Sequence, residues 1–429
     1  MESPIHRLGD LFRQLGLPGD RGSIEAFVVA HRPLPAAMTL ADAPFWTPSQ
    51  AGFLREQIDD DADWAELVDS LGLLLAASNA TRNESDRDPL QATVEALTQA
   101  GKGLLAADES APTIAKRFEA IGVESTEESR RTYRSLLLST PGLGAFISGV
   151  ILYEETLLQR ADDGTPLPAL AARLGLVPGI KVDAGKIALA HAPGDEITQG
   201  LDGLGKRLAV YKEQGARFAK WRAVYNVSDA LPSRLAISAN ADVLARYAAI
   251  CQEAGIVPIV EPEVLMDGGH TLERCAEVTD VVLHEVFAAL HRYRVVLEYM
   301  LLKPSMVIAG KNRARRPVAE VAAATVRVLR RNVPAAVPGI FFLSGGQSPA
   351  DATAHLDAIN RLGPQPWGLS FSYGRALQEP VLLAWQGRAA NVRSAQNALL
   401  ERARLNGAAS AGRYDAGMAQ PLQALAGVG

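Results

Sequence analysis

From Leu90 onward, short apolar runs alternate with longer amphipathic stretches. This alternation is typical of repeated βα units, because a parallel strand is buried on both faces and a helix on one. Eight runs predict the strands, namely Gly103–Asp108, Ala145–Tyr153, Val177–Val182, Ala216–Val224, Ile256–Val260, Tyr299–Met306, Gly339–Leu343 and Gly368–Ser372. Eight is the number that a closed (β/α)8 barrel, or TIM barrel, requires. An open doubly wound sheet with charged strand ends is the alternative interpretation.

The first 80 residues have a helical rather than a strand-like period. Apolar residues at helical spacing over residues 8–15 predict one helix. Ser23 is the predicted N-cap of a second helix, and Thr47 caps a third that has Pro48 at its first position. This part of the chain is therefore expected to be all-α.

A polar stretch over residues 78–89 separates the two patterns and has the composition of a linker. We predict a small helical domain over residues 1–85 and an α/β barrel domain over residues 86–429. The length of 429 residues supports this division, since it exceeds one ordinary domain.

Composition and charge narrow the classes of function. Hydrophobic residues make up 48% of the chain and charged residues 21%, as in an ordinary globular protein. The net charge of −5 is uneven, because residues 1–88 carry 7 basic and 15 acidic side chains. No basic stripe with interleaved aromatic residues occurs, which argues against a nucleic-acid partner.

Cysteine, histidine and apolar patterns exclude further classes. Cys251 and Cys275 are the only cysteines and form no CxxC motif, which predicts a reducing, cytoplasmic setting. The sequence has no 18-residue apolar stretch and no leader-like start, so no membrane or export role is expected. The seven histidines lack paired metal-ligand spacing, and no nucleotide-binding loop follows a strand, so we predict no metal and no nucleotide cofactor.

Three of the strand-like runs carry charge where a core should be apolar. Lys220 and Arg222 lie two residues apart, as do Glu261 and Glu263, and Lys303 follows another apolar run. Residues two apart on a strand point to the same face, so these charges are expected to share one interior. Burying them costs several kcal/mol unless they are paired, which favours a catalytic purpose.

Polar residues are predicted at the ends of seven strands: Asp108, Lys181, Lys220, Glu261, Lys303, Ser344 and Arg375. Strand C-termini line the active-site mouth of such a barrel. A buried lysine among carboxylates and other cations has a lowered amine pKa and attacks a carbonyl, so Lys303 is the candidate nucleophile for a Schiff base. A solvent-facing strand-end lysine and a structural ion-pair network are the alternatives.

The neighbours of Lys303 suggest roles in proton transfer and phosphate binding. Glu261 and Lys220 are candidate proton carriers, with pKa values expected near neutrality, and Asp108 is the candidate base for a substrate hydroxyl. The last two strands are followed by loops suited to a phosphate, Ser344-Gly345-Gly346 and Tyr373-Gly374-Arg375. A second phosphate site on the other side of the mouth would use Ser110, Lys116, Arg117 and Lys181. The predicted substrate therefore carries a phosphate at each end.

Motifs distributed over residues 90–415 resemble those of the class I fructose-1,6-bisphosphate aldolase family. They are Gly101-Lys-Gly-Leu-Leu-Ala-Ala-Asp-Glu-Ser, Gly179-Ile-Lys-Val-Asp, Phe218-Ala-Lys-Trp-Arg, Val257-Pro-Ile-Val-Glu-Pro-Glu, Leu302-Lys-Pro, Phe342-Leu-Ser-Gly-Gly-Gln-Ser and Phe371-Ser-Tyr-Gly-Arg-Ala-Leu-Gln. The resemblance implies a metal-free Schiff-base barrel enzyme that cleaves fructose 1,6-bisphosphate to dihydroxyacetone phosphate and glyceraldehyde 3-phosphate. It also implies a role in glycolysis and gluconeogenesis and a homotetramer.

The resemblance also assigns roles residue by residue. It makes Lys303 the Schiff-base lysine, Glu261 and Lys220 the proton-transfer pair, Asp108 the acceptor of the C4 hydroxyl proton, and Glu263 a supporting glutamate. It assigns the C1 phosphate to Arg375, Ser344 and Gly345, and the rest of the sugar with its C6 phosphate to Ser110, Lys181, Arg117 and Arg222.

Two departures from the family pattern affect these expectations. Pro112 and Thr113 replace a common Gly-Ser pair, which stiffens the loop near the C6 phosphate and leaves the preference for that end open. The terminal tyrosine of many animal members has no counterpart here, and the last tyrosine, Tyr414, matches a different segment. We expect another group to handle proton exchange at C3. The alternatives are a broader enzyme for sedoheptulose 1,7-bisphosphate or fructose 1-phosphate, and a non-catalytic binding or scaffold protein.

The N-terminal segment resembles a small uncharacterised helical domain that occurs alone in bacteria, on Leu40-Ala-Asp-Ala-Pro-Phe-Trp-Thr-Pro-Ser-Gln-Ala and Asp61-Ala-Asp-Trp-Ala-Glu-Leu. The resemblance assigns it no function. Its acidic charge against the mildly positive remainder suggests the hypothesis that it docks on the barrel. Deleting residues 1–85 should then change the oligomeric state or the kinetics, measured by light scattering and an activity assay. An unchanged oligomer with unchanged kinetics would count against docking.

Overall fold

A computed structural model describes residues 8–31, 34, 38–59, 64, 67–68, 71–72, 75 and 88–419. The chain divides into two compact units, Met1–Arg87 and Asp88–Gly429. The predicted boundary at residue 85, most of the predicted linker and the end of the C-terminal tail lie outside the described residues. No helix among the described residues is both long and apolar enough to cross a membrane.

The N-terminal unit contains short helices around a small apolar core. Their bounds are α1 (Leu8–Gln14), α2 (Arg21–His31) and α3 (Pro48–Asp59). The hydroxyl of Thr47 accepts a hydrogen bond from the backbone N–H of Gln50 at 3.3 Å, which confirms the predicted N-cap of α3. The prediction for Ser23 is wrong, because α2 begins two residues earlier and the Asp20 carboxylate accepts a hydrogen bond from the Ser23 N–H at 3.0 Å.

The second unit is built on a closed parallel barrel. Its strands are β1 (Gly103–Ala107), β2 (Ile147–Leu152), β3 (Val177–Lys181), β6 (Phe218–Tyr225), β7 (Val257–Val264), β8 (Leu301–Leu302), β9 (Gly339–Phe342) and β10 (Gly368–Tyr373), and the antiparallel hairpin β4 (Lys186–Ala188) and β5 (Glu196–Thr198) lies outside it. Each barrel strand lies within or overlaps one of the eight predicted runs. The order β1-β10-β9-β8-β7-β6-β3-β2 closes on itself, so the open-sheet alternative is wrong.

Helices connect the strands and surround the barrel. They are α4 (Pro89–Leu97), α5 (Ala111–Glu119), α6 (Glu127–Leu138), α7 (Glu154–Leu158), α8 (Leu167–Arg173), α9 (Leu204–Glu213), α10 (Arg234–Glu253), α11 (Leu272–Arg292), α12 (Val318–Asn332), α13 (Pro349–Arg361), α14 (Arg375–Trp385) and α15 (Val392–Ser410). Helix faces and strands share one extended apolar core, and α4 packs with further strand residues, among them Phe218 and Ile259, in a second cluster.

The lengths of β7 and β8 differ from those of the predicted runs. β7 continues to Val264, since its residues pair with β6 along its whole length. β8 is reduced to Leu301–Leu302 although the apolar run continues to Met306. Pro304 explains part of this difference, because proline has no N–H to donate to a ladder. Beyond β8 the chain keeps single backbone contacts with its neighbours, from the N–H of Lys303 to the carbonyl oxygen of Val260 and from the N–H of Leu343 to the carbonyl oxygen of Pro304.

Glycines in the barrel allow close contacts that a larger residue would block. A Cβ at Gly179 would lie 2.3 Å from the ring of Phe218, and one at Gly103 would lie 2.6 Å from the ring of Phe371. Phe218 and Phe371 are both fully buried. Aromatic rings thus fill the space that the missing side chains leave in the barrel.

Substituting Gly144→Ala should destabilise the second unit, because a Cβ there would lie 1.9 Å from the backbone oxygen of Leu174. Backbone cannot rotate away as a side chain does, so we expect a loss of about 1–3 kcal/mol or more in the free energy of unfolding. Gly269→Ala is the matched control, since nothing lies within 4 Å of its added Cβ. Urea unfolding of both variants checks this. Equal stability of the two would contradict it.

Candidate active site

The side chain of Lys303 is buried at the C-terminal end of β8. The residue is 3% exposed, which contradicts the alternative of a lysine that reaches solvent at a strand end. Its Nζ lies 3.0 Å from Oε1 of Glu261 on the neighbouring strand β7. Its backbone N–H donates to the carbonyl oxygen of Val260 at 2.8 Å, so the backbone that carries the amine is held by the barrel wall.

A continuous row of opposite charges extends from Lys303 across the barrel mouth. The other oxygen of Glu261 lies 3.1 Å from Nζ of Lys220, and that Nζ lies 2.8 Å from Oδ2 of Asp108. Lys220 and Glu261 are the third residue of β6 and the fifth of β7, so both point inward from within their strands rather than from the strand ends. The structure thus brings together the four residues that the sequence analysis placed at the chemical centre.

The electrostatics of this row differ from the expectation for proton carriers. Burial by itself would raise the pKa of Asp108, but the attraction of Lys220 and Lys303 outweighs burial and holds this pKa well below its usual range. Burial would lower the pKa of Lys220, but Asp108, Glu261 and Asp183 outweigh it and raise this pKa above its usual range. The expectation that the pKa of Lys220 lies near neutrality is therefore wrong, because its three carboxylate neighbours favour the charged amine.

Asp183 is a member of this cluster that the sequence analysis missed. Its carboxylate lies 2.8 Å from Nζ of Lys181 and 3.9 Å from Nζ of Lys220, and its side chain is 4% exposed. A signal was available, since Asp183 follows Lys181 by two residues, the same spacing that singled out Lys220 with Arg222. The predicted apolar run ends at Val182, so the aspartate directly after it was not counted among the candidates.

Arg222 and Glu263, which were predicted only to share the interior with the other charges, form a second ion pair. Nε of Arg222 donates to Oε2 of Glu263, and the attraction of this carboxylate outweighs burial and raises the pKa of the guanidinium. A Cβ at Gly345 would lie 3.9 Å from the other oxygen of Glu263. The glutamate therefore lies beside the first candidate phosphate loop.

The first candidate phosphate site joins the loops after β9 and β10. Ser344 is 6% exposed, and Gly345 has a φ of +55°, which side-chain-bearing residues rarely adopt. Gly374 directly precedes α14, whose first residue is Arg375. A Cβ at Gly346 would lie 2.9 Å from the guanidinium of Arg375, so the two loops are in contact. A helix N-terminus, an arginine and a small loop suit an anion.

The residues predicted for the second candidate phosphate site contact other side chains or lie on the surface. The hydroxyl of Ser110, the N-cap residue of α5, lies 3.1 Å from the hydroxyl of Thr113. Lys116 is exposed on the surface of the same helix. Arg117 is paired with the carboxylate of Glu109 rather than standing free.

Glu109 is a second residue that the sequence analysis missed. Its carboxylate binds Arg117 and lies 2.7 Å from the buried guanidinium of Arg134, and it accepts a hydrogen bond from Nε2 of Gln378 at 2.7 Å. Burial would raise its pKa, but the two arginines outweigh burial and lower it. Its position next to Asp108 carries no periodic signal, and its partners lie far away in sequence.

Within the described residues, no group of three or more His, Cys, Asp and Glu side chains is arranged to hold a metal ion. The barrel residues supply paired charges instead. The cluster as a whole offers an amine, carboxylates beside it and an anion-binding end.

Residues 89–425 match the family described as fructose-bisphosphate aldolase class-I. The chain belongs to this family. A probable fructose-bisphosphate aldolase class 1 from Xylella fastidiosa strain 9a5c is 52% identical over 329 residues, which cover 76% of this chain and 98% of the relative. A fructose-bisphosphate aldolase from Drosophila melanogaster is 53% identical over 335 residues, 78% of this chain and 93% of the relative.

A solved aldolase structure shares the fold. The fructose-bisphosphate aldolase of Plasmodium falciparum, in a complex with TRAP and a small-molecule inhibitor, aligns with a TM-score of 0.75 at 52% identity, over 76% of this chain and 95% of that one. Residues 1–75 match a separate family described as a protein of unknown function, DUF2789. The aldolase likeness and the fused helical domain that the sequence motifs suggested are both confirmed.

The charged row at the aldolase site should govern the pH dependence of stability. Replacing Lys220→Met leaves Asp108 and Glu261 buried without one of their partners, which should lower the free energy of unfolding at neutral pH by about 3–5 kcal/mol. Because the pKa of Asp108 is depressed on folding, its contribution is present above its unfolded value of about 4 and is lost as the pH falls through the folded value. The difference in the free energy of unfolding between wild type and variant should therefore become smaller below about pH 4.

Urea unfolding at a series of pH values measures this difference. Lys186→Met is the matched control, because Nζ of Lys186 pairs with Glu196 at 2.6 Å but the lysine side chain is 42% exposed. A surface pair of this kind contributes only about 0–1 kcal/mol. A difference for Lys220→Met that stays constant from neutral to acidic pH would contradict the assignment.

Proposed function

We propose that this aldolase cleaves fructose 1,6-bisphosphate reversibly to dihydroxyacetone phosphate and glyceraldehyde 3-phosphate through a Schiff base on Lys303. The observation that carries the proposal is the buried contact of Nζ of Lys303 with Glu261, whose other oxygen contacts Lys220. A buried amine with a carboxylate at 3.0 Å has a local acceptor for the proton that it must lose before attack.

The first half of the reaction forms the covalent intermediate. The nitrogen of Lys303 attacks the C2 carbonyl of the open-chain ketose, and the carbonyl oxygen takes up a proton to give a carbinolamine. Glu261 and Lys220 transfer the protons that convert the C2 hydroxyl to water, which leaves as the iminium forms. Glu263 supports this pair through its contact with Arg222.

The second half breaks the carbon–carbon bond. Asp108 takes the C4 hydroxyl proton, the C3–C4 bond breaks, and its electron pair flows to the iminium to give an enamine. The depressed pKa of Asp108 keeps it ionised, so the carboxylate does not have to lose a proton of its own before this step. Glyceraldehyde 3-phosphate leaves, C3 of the enamine is protonated, and water hydrolyses the imine to release dihydroxyacetone phosphate and free Lys303.

The two candidate anion sites hold the ends of the substrate in this proposal. Ser344, Gly345, Gly374 and Arg375 bind the C1 phosphate, which places C2 near the amine. The rest of the sugar chain and the C6 phosphate bind the residues on the opposite side of the mouth, namely Ser110, Lys116, Arg117, Lys181 and Arg222. Holding both ends limits the motion of the ketose and favours the attacking geometry.

Further properties follow from membership of the family. We propose that the chemistry needs no metal and no cofactor, because the Schiff base supplies the electron sink. We propose a homotetramer in the cytoplasm that serves glycolysis and gluconeogenesis. An Arabidopsis thaliana relative that is 52% identical is named as a cytosolic fructose-bisphosphate aldolase, which supports the location.

A broader substrate range is the second candidate function. In the structure Ser110 is engaged with Thr113, and Arg117 with Glu109, so two predicted ligands of the C6 phosphate already have partners. Pro112 in the first turn of α5 restricts the backbone of this loop. A weakened C6 site favours cleavage of fructose 1-phosphate or sedoheptulose 1,7-bisphosphate alongside fructose 1,6-bisphosphate.

Borohydride trapping tests the proposal. Cleavage of fructose 1,6-bisphosphate should persist in EDTA, and borohydride added with dihydroxyacetone phosphate should abolish it and leave a reduced adduct on Lys303, located by peptide mass mapping. Lys303→Met should give no adduct and lower kcat by at least about 10³-fold, since the nucleophile is absent. Lys311→Met is the control, because Lys311 is an exposed lysine paired with Asp267.

The outcomes separate the candidates. An adduct on Lys303 with similar kcat/KM values for fructose 1-phosphate and fructose 1,6-bisphosphate would favour the broader enzyme. An adduct on a different lysine would contradict the role of Lys303. Absence of both cleavage and adduct would favour a non-catalytic binding or scaffold protein.

A further inference from the structure

The loop after β9 has little of its own to hold its shape. Gly345 and Gly346 follow Ser344 with φ values of +55° and +94°. Two glycines in succession leave the backbone free to adopt many other conformations. The backbone N–H of Gln347 donates to the carbonyl oxygen of Ser344 at 2.9 Å and closes the turn. The conformation of the loop therefore depends on how Gln347 is anchored.

The side chain of Gln347 is anchored at both ends of its amide. Its Oε1 lies 2.6 Å from Nδ1 of His355, and its Nε2 donates to the sulfur of Met306 at 3.7 Å. His355 and Gln347 are 7% and 6% exposed, and Met306 is fully buried. Met306 lies three residues after Lys303, so this amide links the nucleophile's loop to the loop of Ser344.

The contact fixes which ring nitrogen of His355 carries hydrogen. The carbonyl oxygen of Gln347 only accepts hydrogen bonds, so Nδ1 of His355 must donate. Burial has the largest effect on His355 and lowers its pKa. The charge of Asp351 raises this pKa, and the charge of Arg315 lowers it. The neutral ring must then hold its hydrogen on Nδ1.

We propose that His355 is a positioning residue that holds the phosphate-binding loop Ser344–Gly346 in its binding conformation through Gln347. His355 contacts no substrate in this arrangement. It orients the amide, and the amide sets the turn that carries the anion-binding backbone. The inference rests on the proposed function, because that function assigns the C1 phosphate to this loop.

Three substitutions at position 355 separate hydrogen-bond donation from packing. In His355→Asn the side-chain amide nitrogen takes the place of Nδ1 and still donates, so KM should stay within about two-fold of wild type. His355→Leu fills the space without a donor, and His355→Asp offers only acceptors to the Gln347 oxygen. Both should raise KM about 3- to 10-fold, the loss expected for one hydrogen bond, with kcat within about two-fold.

The change should appear equally with both substrates that carry a C1 phosphate. KM for fructose 1,6-bisphosphate and KM for fructose 1-phosphate should rise by the same factor, and the Kd for inorganic phosphate, measured by calorimetry, should weaken with them. Asn360→Ala is the matched control on α13, because the side-chain amide of Asn360 donates to the carbonyl oxygen of Leu356 one turn away and lies at the far end of the helix. It should leave KM unchanged, and thermal unfolding should show that all four variants are folded.

Nitrogen-15 NMR of the wild type gives a readout that does not depend on catalysis. The neutral His355 ring should show hydrogen on Nδ1. Hydrogen on Nε2, an Asn variant as impaired as Leu, or an Asp variant equal to wild type would each overturn the inference. If the wild type gives no borohydride adduct on Lys303, the proposed function fails instead, and the phosphate Kd and the NMR result still decide the role of His355.

Discussion

The site depends on one buried carboxylate shared by two amines. Glu261 lies between Lys220 and Lys303, at 3.1 and 3.0 Å, and it is 4% exposed. Two ammonium groups in a closed barrel would repel each other and lose their hydration, at a cost that packing does not offset. Glu261 turns one oxygen toward each amine, and Asp108 and Asp183 add negative charge around Lys220. This balance allows the barrel mouth to hold several largely buried ionisable side chains close together.

The same interaction explains why the pKa values of Asp108 and Lys220 do not lie near neutrality. Close pairing strengthens the charged form of each partner, so the pKa of Asp108 falls and that of Lys220 rises. In the proposed reaction, proton transfer occurs only when a substrate oxygen enters between the paired groups and changes their contacts. The charged row therefore keeps the acid and base in the positions that the proposed chemistry needs.

The sequence predicts those features that repeat along it. Eight apolar runs predict the barrel, and charges two residues apart predict the inward-facing lysines and glutamates, since strand periodicity is local. Partners brought together by the fold alone were missed, because nothing in the local pattern marks them. The contacts of Glu109 with Gln378 and of Gln347 with His355 are of this kind. The N-cap of α2 was misplaced because Asp20 and Ser23 are both good capping residues and only geometry separates them.

The backbone and side chain of Lys303 perform separate tasks. Its N–H donates to Val260 and continues the barrel wall past the two residues of β8, whereas its amine belongs to the reaction. Any L-residue other than proline supplies the same N–H. A descendant that lost the amine would keep this hydrogen bond of the barrel wall but would leave Glu261 buried with one partner fewer. Loss of the chemistry therefore lowers the stability of the site even where the backbone of the barrel is unchanged.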